Sequence, residues 1–278
     1  MSKASKKSAA DRAAGGAVAD SAPERKVRLL QPARFPRSPK SALRGPHMRR
    51  AAAYLEGGPS FRELRERHCL LVDKSGLIDE LMNDGPAGIS LFTRPPGFGR
   101  TVNMTMLRDF FDREQESRDL FRGLAIARRH VLCKTWMNSR PVLYLSLKAL
   151  DGNTEAEVEC ALRALAADLV RERAFLAESG RVDAALRGDL CAIMAGTADL
   201  SVTAGVLGRL VRALHRHWES RVVLLVDDCE GGMSRAESPA AFAMLSGIVR
   251  AMIEEACAAD GGLEFAVLAG SRSPWGED

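Results

Sequence analysis

The stretch that decides the fold reads Gly88-Ile-Ser-Leu-Phe-Thr-Arg-Pro-Pro-Gly-Phe-Gly-Arg-Thr-Val-Asn-Met-Thr-Met-Leu-Arg-Asp-Phe-Phe111. It predicts a short apolar strand, a glycine-rich turn and an amphipathic helix that begins at a hydroxyl residue. Main-chain N–H groups and a helix N-terminus meet an anion in such a layout, which is typical of a phosphate-binding loop. Gly99 and Thr101 match the pattern G-x-x-x-x-G-K-[ST]. Arg94 stands in place of its first glycine, and Arg100 in place of its lysine.

A second motif follows the apolar run at residues 221–226, which leads directly into Asp227 and Asp228. An unbroken apolar run predicts a parallel strand buried on both faces. A carboxylate at the carboxyl end of such a strand is where phosphate-binding folds hold Mg²⁺. Asp227 is therefore the candidate magnesium ligand together with Thr101, and Asp228 is the candidate residue for polarising an attacking water. An acidic strand-end turn is the alternative interpretation.

The last predicted strand, residues 263–268, is followed by two polar side chains that could reach a γ-phosphate, although turn chemistry explains the same residues. With the loop they complete the candidate nucleotide contacts: Arg94, Gly97, Phe98, Gly99, Arg100, Thr101, Ser271 and Arg272. The two glycines would remove side chains where the backbone approaches the phosphates. Asp73 and Lys74 are interpreted as a structural ion pair or cap, and an approach to the nucleotide is the alternative.

The order of the predicted elements indicates the fold class. Strands at 89–92, 141–147, 221–226 and 263–268 alternate with helices at 102–112, 154–175, 202–218 and 239–258. Such alternation predicts an α/β fold in which helices flank a parallel sheet, with right-handed crossovers. Ser60 and Glu63 have the spacing of a capping box, which predicts a helix that begins at Phe61.

The charge is unevenly distributed along the 278 residues. Residues 1–50 contain 13 Lys and Arg against three acidic residues, and they lack periodic apolar positions. Residues 1–57 are therefore predicted to be a disordered basic tail, the one part of the chain expected to contact nucleic acid, and residues 58–278 to be the folded domain. No run approaches the roughly 18 apolar residues of a membrane span. With six scattered cysteines and no leader segment, a cytoplasmic protein is expected.

The chain resembles the AAA-ATPase-like family, whose pattern runs Val-Asp-Lys-Thr, then Arg-Pro-Arg-Arg-Phe-Gly-Lys-Thr/Ser, then an aliphatic strand that ends Asp-Glu-Tyr-Asp. The corresponding stretches here are Leu71-Val-Asp-Lys-Ser75, Thr93-Arg-Pro-Pro-Gly-Phe-Gly-Arg-Thr101 and Leu225-Val-Asp-Asp-Cys-Glu230. They occur in the family's order over roughly residues 58–272. Arg94 is itself a feature of the family. The resemblance implies a P-loop NTPase fold of the additional-strand type, with ATP and Mg²⁺ as cofactors.

Three departures from the family pattern concern the reacting groups. Arg100 replaces a lysine, and a planar guanidinium is bulkier than an ammonium. Asp228 replaces a glutamate, which moves the carboxylate back by about one methylene, and the positioning of water tolerates little error. Glu230 follows a cysteine in place of Tyr-Asp, and Gly231 and Gly232 are expected to loosen the segment after it. The phosphate-loop motif (Walker A) and the strand-end carboxylate motif (Walker B) are therefore both degenerate, and the pattern does not decide whether the protein hydrolyses ATP.

The extent of the chain also differs from that of many relatives, which continue into a restriction-endonuclease-like domain. The P-loop domain is therefore expected to be C-terminally truncated, and no nuclease activity is carried over. Because no fifth strand is expected beside residues 89–92, that strand is predicted to be a sheet edge. Two hypotheses follow: a domain that binds Mg-ATP with weak or no hydrolysis, or a non-catalytic interaction module that no longer binds nucleotide.

Overall fold

A computed structural model describes residues 27–29, 58–83, 88–95 and 97–271 of the chain. The strands are β1 Val27–Leu29, β2 Ile89–Thr93, β3 Val142–Ser146, β4 Val222–Asp227 and β5 Leu263–Gly270. They form one sheet in the order β1-β2-β5-β4-β3, and all neighbouring strands are parallel. Every residue of β4 is buried, as its unbroken apolar run predicts. The predicted α/β class with a parallel sheet flanked by helices is confirmed.

The helices cover both faces of the sheet. They are α1 Phe61–Glu66, α2 Gly76–Asn83, α3 Arg100–Phe111, α4 His130–Trp136, α5 Glu155–Arg171, α6 Ala184–Ala195, α7 Leu200–Ala204, α8 Val206–Trp218 and α9 Pro239–Cys257. Val223 and Leu225 of β4 belong to a buried cluster that includes side chains of α1 to α4, whereas Leu224 and Val226 belong to a second cluster with side chains of α5, α6, α8 and α9. This alternation follows from the two-residue period of a strand. Among the described residues, no helix combines the length and apolar character needed to cross a bilayer.

An aromatic cluster fixes the helix that follows the glycine-rich loop. Phe110 of α3 lies edge-on to Phe111 and to Phe121, at ring-centroid distances of 5.0 and 5.4 Å. Phe61 packs on Phe121 at 5.0 Å, and its N–H donates to Thr105 Oγ1 of α3 at 2.9 Å. Aromatic pairs at such distances are stabilising beyond the area that they bury. Helix α3 is therefore held in place at its carboxyl end and its middle, and its N-terminus lies where β2 ends.

Strand β1 corrects one sequence-based expectation. It pairs with β2 in parallel, with Val27 opposite Ile89 and Leu29 opposite Leu91, so residues 89–92 are not the edge of the sheet. The strand comes from within residues 1–57, which were predicted to be disordered. A three-residue strand is too short to give a periodic pattern, whereas the main-chain groups of β2 offer any extended segment a ladder of hydrogen bonds. The other residues of 1–57 lie outside the described residues, so the prediction for the tail as a whole stays a prediction.

Candidate functional site

The loop between β2 and α3 depends on two glycines with positive φ. Gly97 has a φ of 81°, and Gly99, the N-cap residue of α3, has a φ of 77°. A Cβ disfavours this left-handed conformation. A Cβ built on Gly97 would meet nothing within 4 Å, so backbone conformation, and not close packing within the protein, calls for glycine there. Because Gly99 has no side chain with which to cap α3, the first N–H groups of the helix are left for an anion.

Arg94 anchors the start of the loop to the ends of two strands. Its N–H donates to the carbonyl oxygen of Gly270 at 3.0 Å, and its guanidinium donates to the carbonyl oxygen of Thr93 at 2.9 Å. The guanidinium carbon also lies 4.8 Å from the ring centroid of Phe92. Phe98, at the tip of the loop, is 60% exposed. Arg94 thus has bonds within the protein that fix the loop, and Phe98 is presented to solvent.

The side chain of Arg100 joins the loop to the end of β4. One terminal nitrogen donates to Glu230 Oε1 at 2.8 Å and the other to Asp228 Oδ1 at 3.0 Å. The side chain is only 11% exposed. Burial alone would lower the pKa of Arg100, but the hydrogen bond and charge of Glu230, with the charges of Asp228 and Asp227, raise it. The positive charge of Arg100 is therefore shared between two carboxylates of the site.

Asp228 accepts hydrogen bonds on both carboxylate oxygens. Oδ1 accepts from Arg100, and Oδ2 accepts from the hydroxyl of Ser146 at the end of β3, at 3.0 Å. The residue has a φ of 49°, a left-handed conformation that is uncommon for a non-glycine residue. Its N–H donates to Asp227 Oδ1 at 2.9 Å. Backbone conformation and two side-chain partners thus fix the carboxylate of Asp228 in one orientation.

Glu230 is part of the same network, which the sequence analysis did not predict. Its Oε1 accepts from Arg100 and from the hydroxyl of Ser271, each at 2.8 Å. Burial would raise the pKa of Glu230, but the hydrogen bonds from Arg100, from its own N–H and from Ser271 outweigh burial and lower it. Glu230 was noted only as a departure from the family pattern. The available signal was its place three residues after Asp227, within reach of the long side chain of Arg100.

The two glycines after Glu230 do not loosen the segment, contrary to expectation. Gly231 and Gly232 are buried at the start of a 3₁₀ helix, Gly231–Arg235. The N–H of Gly232 donates to the carbonyl oxygen of Leu150 at 2.7 Å. A Cβ on Gly232 would lie 2.8 Å from that same oxygen and 2.7 Å from Asp151 Cα. These glycines allow a close backbone approach, and the close approach fixes Glu230.

Asp227 lies at the centre of the site and is 1% exposed. Oδ1 accepts the N–H of Asp228, whereas Oδ2 is buried and has no hydrogen-bond partner of regular geometry among the described residues. Burial raises the pKa of Asp227, and the charge of Asp228 raises it further, while the Thr101 hydroxyl nearby lowers it. The pKa of Tyr144 is raised as well, by burial and then by the charge of Asp227. One oxygen of the Asp227 carboxylate is thus buried without a hydrogen bond of regular geometry from the described residues, with the hydroxyl groups of Thr101 and Tyr144 nearby.

Asp73 and Lys74 bond to backbone groups, and Lys74 reaches the loop itself. Asp73 Oδ1 accepts the N–H of Ser75 at 2.9 Å, and Oδ2 accepts the N–H of Ala125 at 2.7 Å. Asp73 is therefore a cap for two main-chain donors. Lys74 Nζ donates to the carbonyl oxygen of Phe98, at the tip of the loop, at 3.0 Å. Asp73 and Lys74 are thus not paired with each other in these bonds, and each contacts the backbone of another segment.

The structure brings most of the predicted site residues to one end of the sheet. Arg100, Thr101, Asp227, Asp228 and Ser271 lie in one network or directly beside it. The predicted contact at position 272 lies outside the described residues. Two further residues, Ser146 and Glu230, are hydrogen-bonded in the site although the sequence analysis did not place them there. Each comes from a different strand end, which a linear pattern cannot bring together.

Comparisons with known proteins agree with this arrangement. A family model described as "Predicted AAA-ATPase", of the AAA-ATPase-like family, matches residues 57–272. That range begins before α1 and ends just after β5, so it includes the loop and the carboxylates at the end of β4. No curated protein and no solved structure matched the chain. The family match covers most of the chain, and the chain therefore belongs to the AAA-ATPase-like family.

Proposed function

We propose that this protein is a nucleotide-binding domain that binds Mg-ATP and hydrolyses it weakly or not at all. The observation that carries the proposal is Asp227 Oδ2, which is buried and has no hydrogen bond of regular geometry from the described residues. A buried, unsatisfied carboxylate oxygen is costly, and a cation beside it would remove that cost. The oxygen belongs to a carboxylate that the Thr101 hydroxyl approaches at the start of α3.

The side chains present fit Mg²⁺. This ion prefers oxygen ligands, keeps several waters and is commonly held by one or two protein groups together with substrate phosphates. Thr101 and Asp227 would be those protein groups. In the part of the chain that the structure describes, no three His, Cys, Asp or Glu residues form a metal cluster, and a site of this kind does not require one. Mg²⁺ would supply neutralisation of charge on the phosphate oxygens.

The order of the strands supports the additional-strand type of P-loop fold. Strand β5 lies between β2, which leads into the loop, and β4, which carries Asp227. One further strand thus separates the two strands that bear the phosphate and metal motifs. Ligands of open parallel sheets bind beyond the carboxyl ends of the strands, which is where Gly99, Asp227 and Ser271 lie.

The hydrogen bonds of Asp228 are the reason for proposing that hydrolysis is weak. Both of its oxygens already accept hydrogen bonds, from Arg100 and from Ser146. A carboxylate that polarises water needs an oxygen directed at that water in the reacting complex. Each oxygen could accept a second hydrogen bond, but the attacking water would have to meet the carboxylate in the one orientation that Arg100 and Ser146 already fix.

A second candidate function, a non-catalytic interaction module, is favoured by the same bridge. Arg100 pairs with one oxygen of Asp228 and one oxygen of Glu230 within the protein itself, so the charges of these groups are balanced in part with no ligand. The module hypothesis predicts a folded protein that does not bind nucleotide. The nucleotide hypothesis predicts binding that depends on Mg²⁺ and on Asp227.

Calorimetric titration of the full chain with ATP tests the proposal, with Mg²⁺ present or removed by chelator. We expect micromolar binding, about −8 kcal/mol, that requires Mg²⁺. Asp227→Asn keeps the shape of the side chain and removes its charge, so it should abolish the dependence on Mg²⁺. Absence of binding by a folded wild-type sample would refute the nucleotide hypothesis in favour of the interaction module.

A further inference from the structure

Lys74 reaches the phosphate-binding loop from a segment distant in sequence. Its Nζ donates to the carbonyl oxygen of Phe98 at 3.0 Å. A Cβ built on Gly99 would lie 3.7 Å from that same Nζ, which is the one atom of the described residues, chain neighbours aside, within 4 Å of it. The ammonium group therefore lies at the point where the loop passes into the N-terminus of α3. An anion bound by the first N–H groups of α3 would lie close to this charge.

The backbone on both sides of Lys74 is held in place. Asp73 accepts the N–H of Ala125 at 2.7 Å, and the hydroxyl of Ser75 accepts the N–H of Ile126 at 3.1 Å. Ser75 is completely buried. The main chain around Lys74 is thus clamped to the segment at 125–126, and the flexible four-carbon stem remains to direct the ammonium.

The charge of Lys74 is not neutralised within the described residues, where its hydrogen-bond partner is a neutral carbonyl and no carboxylate forms an ion pair with it. Arg100 is in the opposite situation. Its two terminal nitrogens are bonded to Glu230 and Asp228. To contact a phosphate, Arg100 would have to give up bonds to two carboxylates, in which donor and acceptor are both charged and which leave a buried carboxylate unpaired when broken. Lys74 would give up a single bond to an uncharged carbonyl oxygen.

We propose that Lys74, and not Arg100, supplies the cationic contact to the terminal phosphates of a bound nucleotide. Arg100 is then a positioning residue that holds Asp228 and Glu230 at the end of β4. This inference rests on the proposed nucleotide binding, because it assigns a role within that same site. An ammonium is a compact point charge with three rotatable donors, which suits oxygens on two neighbouring phosphates.

The test uses the full chain and compares Lys74→Met with Lys134→Met, which removes the same charge from an exposed position on α4. Binding of ATP and of AMP, each with Mg²⁺, is measured by calorimetry or by competition. Loss of a charged hydrogen bond to phosphate should weaken ATP binding about 10- to 100-fold. AMP lacks the terminal phosphates, so its affinity should change by less than about threefold, and Lys134→Met should match wild type in both titrations. Lys74→Gln, which keeps a polar tip without the charge, serves if Lys74→Met does not fold.

The outcomes distinguish failure of the Lys74 assignment from failure of the proposed nucleotide binding. If wild type binds ATP and the Lys74 variants bind it equally well, the inference is overturned while the proposed function stands. If ATP and AMP are weakened by the same factor, Lys74 only shapes the loop, and the inference again fails. If Arg100→Met loses ATP discrimination and Lys74→Met does not, the phosphate contact belongs to Arg100. If a folded wild-type protein binds neither nucleotide, the proposed function fails and the inference fails with it.

Discussion

Replacement of Arg100 by methionine tests the bridge at the centre of the site. The Arg100 side chain is 11% exposed, and its partners Asp228 and Glu230 are 23% and 12% exposed. Removing one partner of a fully buried ion pair costs about 3–5 kcal/mol, because the other charge stays buried and unpaired. Exposed pairs contribute about 0–1 kcal/mol. The bridge lies nearer the buried case, so we expect Arg100→Met to lower the free energy of unfolding by about 2–3 kcal/mol at pH 7.

The pH dependence of this loss follows from Glu230. Its pKa in the folded protein lies below its ordinary value of 4.5, so its stabilising contribution is present above pH 4.5 and is lost as the pH falls through the lowered pKa. Without Arg100, the main cause of that lowering is removed. The difference in unfolding free energy between wild type and variant should therefore be largest at pH 7 and become smaller as the pH falls through 5.5 to 4.

Urea unfolding followed by circular dichroism at the three pH values measures these differences. Arg122→Met is the matched control, because Arg122 and its partner Asp119 are 80% and 79% exposed. We expect the control to lose less than about 0.5 kcal/mol at every pH. If Arg100→Met costs no more than Arg122→Met at pH 7, the bridge between Arg100 and the two carboxylates does not stabilise the fold.

Three further changes probe single features of the site. Asp227→Asn should raise the unfolding free energy by about 1–2 kcal/mol at pH 7. The pKa of Asp227 is raised in the folded protein, so the charged carboxylate destabilises the folded state and its removal should stabilise it. An unchanged midpoint of urea unfolding would contradict this. Gly99→Ala should lower the free energy of unfolding by about 1–2 kcal/mol, measured by thermal unfolding, because a Cβ disfavours the φ of 77° at this position. Gly247→Ala is the control, since Gly247 lies inside α9 with open space where the Cβ would stand, and it should not destabilise the protein. Arg100→Lys combined with Asp228→Glu should raise ATP turnover in a phosphate-release assay, and a gain in neither binding nor turnover would argue against an ATPase ancestry for the site.

The fold could be predicted from the sequence where the signal is local. The capping box of Ser60 and Glu63 forms as expected at the start of α1. The mainly apolar run at 89–92 and the apolar run at 222–226 lie within β2 and β4, because a strand buried on both faces needs apolar residues at most of its positions. Strand β1 could not be predicted, since its three residues gain their structure from the main-chain groups of β2.

The site was predictable only in part, for a related reason. The loop and the carboxylates of β4 could be found because each lies in one continuous stretch. The bond between Arg100 and Glu230, 130 positions apart, depends on the packing of α3 against the end of β4. The closeness of Lys74 to the tip of the loop depends likewise on the clamp at Asp73. No spacing within a single segment encodes either contact.

The departures from the family pattern at positions 100, 228 and 230 can be understood together. Arginine reaches farther than lysine and has two terminal nitrogens in a fixed fork, and here each nitrogen bonds to a different carboxylate. Asp228 is shorter than the glutamate of the family pattern, and Glu230 is longer than its aspartate. One carboxylate oxygen of each accepts a hydrogen bond from the guanidinium. Reverting Arg100 alone would leave the two carboxylates without the guanidinium. Reverting Asp228 or Glu230 alone would change one of the two acceptors of that guanidinium. Positions 100 and 228 are coupled through a direct hydrogen bond, so the effects of their single reversions should not add, and a gain in turnover is expected from the paired reversion and not from Arg100→Lys alone.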